Sequence, residues 1–245
     1  MLPDSVQKIE KTIKSFLLIG QSNMSGRGDF NEVPVIVNNK CFMLRNARWQ
    51  PMSEPVNPDR QIFGYYHSGV GLSASFADEY AKHYGECVGL IPCADGGSAM
   101  CEWLPGELLY DNAIAQAKLA QRTSEIVGIL WHQGESDSEK IEDVEAYHDR
   151  FMCMIESMMK DLDLPRNTPV IVGELGEFVK DYKDGKLKNF TKLNDVLREI
   201  SCELKCGGIA SAKGLSCKYD GIHFSSESYR EFGKRYFAEY LRIKG

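Results

Sequence analysis

The sequence predicts an α/β protein whose helices cover both faces of a central parallel sheet. Short apolar segments alternate with longer amphipathic segments along the chain, which is typical of repeated β-α-β units. The apolar segments are nearly continuous, as in strands that are buried on both faces. Because no repeat, low-complexity tract or linker divides the 245 residues, we expect one domain spanning residues 1–245, built as a three-layer α/β/α sandwich.

Six apolar segments are the predicted strands of this sheet. Each is short enough for a strand and too short for a buried helix. They are 15–20 (SFLLIG), 41–44 (CFML), 87–93 (CVGLIPC), 126–131 (IVGILW), 169–175 (PVIVGEL) and 207–212 (GGIASA).

Five amphipathic segments are the predicted helices, namely 72–85, 111–122, 141–162, 191–204 and 225–244. The first repeats large apolar residues every four positions from Leu72 to Tyr84 and ends at Gly85, a residue that favours a left-handed cap. The second opens on Asp111 and the last on Ser225, and both side chains can cap a helix N-terminus.

Residues 25–70 carry few signals of regular structure apart from the strand predicted at 41–44. This segment is rich in Pro, Asn, Arg and aromatic residues. A loop of this length inside a compact domain is usually functional or contains small elements that the sequence does not reveal.

Composition and charge exclude several classes of protein. The chain is 43% hydrophobic and 26% charged, which is ordinary for a soluble globular protein. Its net charge of -6 and the lack of a basic patch disfavour a nucleic-acid or anionic-membrane partner. Charged residues precede the first short apolar run, which does not match a secretory signal, and no run approaches the length of a membrane span. We therefore expect a cytoplasmic protein.

The eight cysteines do not form a recognisable metal or redox motif. No Cys-x-x-Cys occurs, and Cys41, Cys87 and Cys153 lie in apolar runs, where buried free thiols are expected. Free thiols indicate a reducing compartment. The His and Cys spacing predicts no metal, and no cofactor motif is present.

Polar residues follow four of the predicted strands. The carboxyl ends of parallel strands meet at one edge of an open α/β sheet, where ligands bind. The segments at this edge are GQSNMSG (20–26), ADGGSAMCEW (94–103), HQGESDS (132–138) and KYDGIHFS (218–225). Together they supply a Ser, a Gly pair, a Gln and an Asp-x-x-His, which are the parts of a serine hydrolase.

Ser22 is the candidate nucleophile, with His223 as its base. A serine hydroxyl needs an adjacent base, and the base must be held in one tautomer by a third group. Asp220 lies three residues before His223, so one turn can bring the two side chains together. Alone, this segment would be read as a turn before the last helix, with Asp220 as its cap; the other three segments favour catalysis.

The same segments offer donors for an oxyanion hole. The backbone N–H of Ser22 can donate at the strand end, and a glycine, Gly96 or Gly97, allows close approach of a second N–H. Gln133 can add a side-chain amide. The alternatives are a plain tight turn for the Gly pair and a loop-stabilising role for Gln133.

The nucleophile segment does not match the elbow of α/β-hydrolases. That elbow reads G-x-S-x-G, whereas this chain has Met24 at the position of the second Gly. Ser22 also follows the first strand rather than a later one. Both observations argue against an α/β-hydrolase elbow.

The segments GQSNM, GGS, WHQGESD and DGIH resemble the four sequence blocks of SGNH hydrolases. More closely, they are similar to carbohydrate esterase family 6, the branch with acetylxylan esterases and sialate O-acetylesterase-like proteins. GVGLSASFA (69–77) also resembles that branch. The resemblance implies a flavodoxin-like fold with a parallel sheet of about five strands. It implies the roles of nucleophile for Ser22, base for His223 and partner for Asp220, with oxyanion donors at Ser22, Gly96 and Gln133.

The implied activity is that of a serine esterase that removes O-acetyl groups from carbohydrates through an acetyl-enzyme. An acetylated xylo-oligosaccharide or a similar sugar is the expected substrate, with O-acetyl sialic acid as the alternative. A non-catalytic carbohydrate-binding protein and an acetyltransferase on the same fold also stay open. A cytoplasmic location favours short oligosaccharides over polymers.

Several neighbouring residues keep alternative roles at this point. Glu135 either orients His223 in place of Asp220 or holds its loop together with Asn23. Trp103 either packs in the core or stacks on a sugar. His132 is expected to be a hydrogen-bonded structural residue rather than a second base.

Overall fold

The structure is a computed structural model that describes residues 13–58 and 67–245. Within these residues seven strands form one sheet. They are β1 (Ile13–Gly20), β2 (Cys41–Arg45), β3 (Arg48–Pro51), β4 (Cys87–Pro92), β5 (Ser124–His132), β6 (Val170–Gly173) and β7 (Gly207–Ala210).

Six α-helices accompany the sheet in the described residues, the first being a single turn, together with two short 3-10 helices, Met100–Trp103 and Glu177–Asp181. The α-helices are α1 (Ser22–Ser25), α2 (Leu72–Tyr84), α3 (Leu108–Gln121), α4 (Ile141–Asp161), α5 (Phe190–Glu203) and α6 (Ser226–Lys244). None of the helices in this part of the chain is long and apolar enough to span a membrane.

The strand order is β3-β2-β4-β1-β5-β6-β7, and every neighbouring pair except β2–β3 is parallel. Five of these strands, β4-β1-β5-β6-β7, have the flavodoxin order 2-1-3-4-5. The expected sheet of about five parallel strands is therefore present, and a hairpin of β2 and β3 extends it beyond β4. The predicted α/β/α fold class is confirmed.

Strand β3 was not predicted, because residues 25–70 show no pattern for it. Asn46 and Ala47 form the two-residue turn between β2 and β3, with φ of 52° and 58°. Positive φ at both positions is the feature of a type I′ hairpin, for which Asn-Gly is the usual signal. Ala47 takes the place of that Gly and so hides the turn from sequence analysis.

Two apolar cores lie on opposite faces of the sheet. Helices α3, α4 and α5 cover one face, and α2 and α6 cover the other. Alternate residues of β1 face each core, with Leu17 on the side of α3 and Phe16 on the side of α6. Burial of β1 on both faces explains why its sequence is continuously apolar.

Helix ends and cysteines give both confirmations and corrections. Gly85 adopts φ of 67° as the predicted left-handed cap, and Ser225 Oγ accepts from the Ser228 N–H at 3.2 Å. The predicted cap at Asp111 is wrong, because α3 begins three residues earlier and Asp111 lies in its first turn. Cys153 is exposed on α4, so its expected burial is also wrong.

Candidate active site

Ser22 lies at the carboxyl end of β1, the middle strand of the seven in the sheet. Gly20 makes the turn possible: it has φ of 127°, and a Cβ at this position would lie 2.2 Å from the His132 carbonyl oxygen. The Gln21 N–H donates to the same carbonyl at 2.9 Å. Because β1 thus remains tied to β5 up to its last residue, Ser22 begins α1 at a fixed point, with only 6% of its surface exposed.

Three of the predicted residues form one hydrogen-bond chain. Ser22 Oγ lies 2.9 Å from His223 Nε2, and His223 Nδ1 lies 2.9 Å from Asp220 Oδ2. The other carboxylate oxygen of Asp220 accepts from the backbone N–H of His223 at 3.0 Å and of Ile222 at 3.1 Å. Asp220 therefore holds both the ring and the backbone of His223.

The same contacts keep Asp220 ionised. Partial burial opposes ionisation, but the hydrogen bonds from the His223 ring and from the two backbone N–H groups hold the pKa of Asp220 well below its usual range. An ionised carboxylate accepts a hydrogen bond from the Nδ1–H group of His223. The lone pair of Nε2 is then available to the Ser22 hydroxyl.

Gly96, rather than Gly97, is the member of the glycine pair that lies beside Ser22. A Cβ at Gly96 would be 3.7 Å from Ser22 Cβ, whereas a Cβ at Gly97 would meet nothing within 4 Å. The loop is anchored to β1 by the Asp95 N–H, which donates to the Gly20 carbonyl at 2.9 Å.

Gln133 is fully buried behind this glycine loop and lies within hydrogen-bond distance of several protein groups. Its Nε2 lies 2.9 Å from the Ser98 carbonyl, 3.1 Å from Gln21 Oε1 and 2.6 Å from Asp137 Oδ2. Its Oε1 accepts from the Tyr147 hydroxyl at 2.9 Å. An amide nitrogen has two hydrogens, so these three acceptors already engage both of them.

Asp137 is a site residue that sequence analysis missed. It is buried, and its carboxylate accepts from the Met100 N–H at 3.0 Å and from Gln133. Burial raises the pKa of Asp137 to about 6, although both hydrogen bonds oppose the shift. Asp137 thereby ties the glycine loop to the loop after β5. Its place in the segment HQGESDS was the only signal.

Asn23 connects the turn that carries Ser22 to the segment that carries His223. Its Nδ2 donates to Glu135 Oε1 and, at 3.1 Å, to the Ile222 carbonyl. Its Oδ1 accepts from the Tyr229 hydroxyl at 2.6 Å and from the Phe224 N–H at 3.4 Å. Asn23 therefore contacts the backbone on both sides of His223.

Glu135 contacts Asn23 and His132. Its Oε1 lies 3.4 Å from His132 Nε2, and both side chains are buried. Burial raises the pKa of Glu135, but the contacts with His132 and Asn23 outweigh it and hold that pKa below its usual value. His132 Nδ1 lies 3.2 Å from the Tyr236 hydroxyl, in the core, as expected of a structural residue.

Arg27 and Trp103 are two further side chains that contact the glycine loop. Arg27, which sequence analysis did not single out, lies against the glycine loop: a Cβ at Gly96 would be 2.5 Å from its Nη2. Trp103 is fully buried and packs edge-on against Trp131, with ring centroids 5.5 Å apart. Trp103 therefore packs in the core, which was one of its two predicted roles, and is not exposed for stacking on a sugar.

Comparison with protein families matches residues 12–242 to the family described as carbohydrate esterase, sialic acid-specific acetylesterase. The match spans nearly the whole chain. The protein belongs to this carbohydrate esterase family. The resemblance inferred from the four sequence blocks is thus confirmed.

Individual relatives agree with the family. The chain is 30% identical over 250 residues to the probable carbohydrate esterase At4g34215 of Arabidopsis thaliana, covering 92% of this chain and 89% of the relative. The solved structure of that Arabidopsis protein superposes with a TM-score of 0.79 at 29% identity, covering 94% of this chain and 98% of the other. NanS has a TM-score of 0.75 at 16% identity, covering 96% and 98%, which shows a shared fold.

Family membership makes the protein an ester hydrolase of the carbohydrate O-acetylesterase type. Acetylated carbohydrates are the substrate class that this family implies. Among residues 13–58 and 67–245, no group of three or more His, Cys, Asp or Glu side chains is arranged to hold a metal ion.

Proposed function

We propose that the protein is a serine esterase that removes acetyl groups from a carbohydrate with Ser22, His223 and Asp220 as its triad. The observation that carries this proposal is the unbroken hydrogen-bond chain from Ser22 Oγ through His223 to Asp220, with both links at 2.9 Å. It lies at the carboxyl edge of the sheet, where open α/β folds bind ligands.

In the first half-reaction, Ser22 Oγ attacks the acetyl carbonyl carbon while His223 Nε2 takes the hydroxyl proton. The tetrahedral intermediate then collapses: the bond from the acetyl carbon to the sugar oxygen breaks, and that oxygen takes the proton from His223. The products are the free sugar hydroxyl and an acetyl ester on Ser22. Asp220 stabilises the imidazolium that exists between these steps.

In the second half-reaction, water takes the place of the serine hydroxyl. His223 removes one proton from water as the water oxygen attacks the acetyl-enzyme, and it returns that proton to Ser22 Oγ as the bond from the acetyl carbon to Oγ breaks. The product leaves as acetic acid, which keeps the second proton of the water and ionises to acetate in solution. The enzyme is thereby restored with no net gain or loss of protons at the triad.

For the oxyanion, we propose the backbone N–H groups of Ser22 and Gly96 as donors. The support is the position of Gly96 beside Ser22 and the anchoring of its loop to β1. Gln133 stays a predicted third donor. It can donate only by exchanging one of its present contacts, of which that to Gln21 Oε1, at 3.1 Å, is the longest.

Between the two carboxylates that the sequence left open, we propose Asp220 as the partner of His223. Asp220 contacts the His223 ring, whereas Glu135 is engaged by Asn23 and His132. We assign Asn23 and Glu135 to the support of the His223 segment.

The substrate we propose is an acetylated xylo-oligosaccharide or similar sugar, with O-acetyl sialic acid as the alternative. A cytoplasmic location stays a prediction.

The test compares Ser22→Ala with Ser25→Ala. Ser25 is a matched control because it is buried in the same helical turn and lies outside the triad. Acetate release is measured from p-nitrophenyl acetate, acetylated xylo-oligosaccharides and O-acetylated N-acetylneuraminic acid. We expect Ser22→Ala to lose all measurable turnover and Ser25→Ala to retain it. Near wild-type turnover by folded Ser22→Ala would refute the assignment.

A further inference from the structure

Tyr219 is an almost fully exposed aromatic residue next to Asp220 of the proposed triad. It is 98% exposed and directly precedes Asp220 in the chain. A tyrosine carries a large apolar ring that normally gains from being covered. Isolated apolar residues on a surface are common and need no explanation. What distinguishes Tyr219 is its position next to Asp220 together with its exposure.

The backbone around Tyr219 is held firmly at the active site. The Lys218 N–H donates to the His223 carbonyl at 2.8 Å, and the Gly221 N–H donates to the Lys218 carbonyl at 3.1 Å. The Lys218 ammonium also donates to the Arg27 carbonyl at 2.6 Å. Tyr219 thus projects from a turn that is tied both to the catalytic base and to the segment after the nucleophile.

A charged group accompanies the ring. Lys218 Nζ lies 5.6 Å from the centroid of the Tyr219 ring, within the range of a cation–π contact. An ammonium group offers three donors, and the Arg27 carbonyl takes one of them. A flat apolar ring beside a hydrogen-bond donor matches a pyranose, which has a face of C–H groups and an edge of hydroxyl oxygens.

We propose that Tyr219 is a specificity-determining residue that stacks on a sugar ring of an acetylated oligosaccharide while its acetyl group lies at Ser22. This inference rests on the proposed esterase function and adds to it a subsite for the carbohydrate. Trp103, the aromatic residue that the sequence offered for this role, is buried in the core. Tyr219 provides the exposed ring that a sugar can reach.

The test measures KM and kcat for Tyr219→Ala and Tyr219→Trp. The probes are p-nitrophenyl acetate, which carries no sugar, and acetylated xylotriose. Tyr84→Ala is the matched control, because Tyr84 is a partly exposed tyrosine, 37% accessible, at the C-terminal end of α2 and hence at the opposite edge of the sheet. Tyr219 is fully exposed, so its replacement leaves folding intact.

For Tyr219→Ala we expect KM for acetylated xylotriose to rise about tenfold with kcat unchanged, since the stacking contact acts equally on ground and transition states. Both kinetic constants for p-nitrophenyl acetate should stay at wild-type values. Tyr219→Trp, which keeps an aromatic face, should retain a wild-type KM, as should Tyr84→Ala.

The two possible failures are distinguishable. If Ser22→Ala is inactive but Tyr219→Ala keeps KM for acetylated xylotriose within twofold of wild type, the role of Tyr219 is overturned and the proposed esterase function stands. If the wild-type protein releases no acetate from any carbohydrate probe, or Ser22→Ala remains active, the proposed function fails and the subsite fails with it.

Discussion

Replacement of Asn23 by Ala should damage both stability and turnover, although Asn23 has no predicted part in the chemistry. The side chain is 1% exposed and makes four hydrogen bonds. Its removal takes a partner from four groups: the Glu135 carboxylate, the Tyr229 hydroxyl, the Ile222 carbonyl and, through the longest of the four bonds at 3.4 Å, the Phe224 N–H.

The magnitude follows from the three shorter contacts, those with Glu135, Tyr229 and Ile222. Each buried polar group left unsatisfied costs about 1–3 kcal/mol, with the charged Glu135 at the upper end. The sum is about 3–9 kcal/mol, and relaxation of the neighbours should bring the measured loss to about 3 kcal/mol, the lower end of that range. Because Asn23 contacts the backbone on both sides of His223, turnover should fall about 100-fold, the effect of a displacement of about 1 Å at a catalytic group.

Asn194→Ala is the matched control. Asn194 is 6% exposed and makes two hydrogen bonds to the backbone of Leu175, at 2.8 and 3.1 Å, away from the triad. We expect this variant to lose about 2 kcal/mol of stability and to keep its kcat.

Urea unfolding gives the stability of both variants, and hydrolysis of p-nitrophenyl acetate gives kcat. A kcat for Asn23→Ala within threefold of that for Asn194→Ala would refute the positioning role of Asn23. A loss of less than 1 kcal/mol would refute the count of unsatisfied groups.

Three further predictions concern the neighbours of the triad. Asp220→Asn should lower kcat about 10⁴-fold, because an amide favours the wrong tautomer of His223, and Glu135→Gln should lower it less; the reverse order in steady-state kinetics would make Glu135 the partner. Gln133→Ala should lower kcat about 10²–10³-fold as an oxyanion donor, whereas loss of urea stability alone would reduce it to loop support. The pKa of Asp137 is raised in the folded protein from 3.8 to about 6, so the folded state binds a proton that the unfolded state has released between these pH values. The free energy of unfolding of the wild type should therefore fall relative to that of Asp137→Asn by about 1–3 kcal/mol as pH rises from 3.8 to 6. An equal pH dependence of the two free energies, measured by urea unfolding, would contradict this.

The sequence singles out candidate reacting groups because their chemistry is restrictive, and the structure brings three of them, Ser22, His223 and Asp220, within hydrogen-bond distance. A nucleophile, a base and a carboxylate are recognisable types, and the predicted parallel topology brings the strand ends that carry Ser22 and His223 to one edge. The sequence left Gly96 and Gly97 as alternatives from the residues alone. The structure separates them by distance, since a Cβ only at Gly96 would approach Ser22.

The supporting residues were harder to predict, because their roles depend on contacts between distant segments. Asp137 belongs to no motif that the sequence reveals. Its carboxylate accepts a hydrogen bond from the backbone N–H of Met100, which lies 37 positions away in sequence. The β2–β3 hairpin was missed for a local reason, the Ala at position 47 in a turn that usually carries Gly. Neither signal can be recovered from hydrophobic periodicity.

The proposed triad and its supporting residues should respond differently to substitution. In the proposed mechanism the Ser22 hydroxyl acts through its chemistry, so its loss should remove turnover while leaving the packing around this 6%-exposed side chain nearly unchanged. Asn23 acts through four contacts that join the nucleophile turn to both sides of His223, so its loss should lower stability and turnover together. The exposed ring of Tyr219 takes part in neither network, and its loss should change only KM for substrates that carry a sugar.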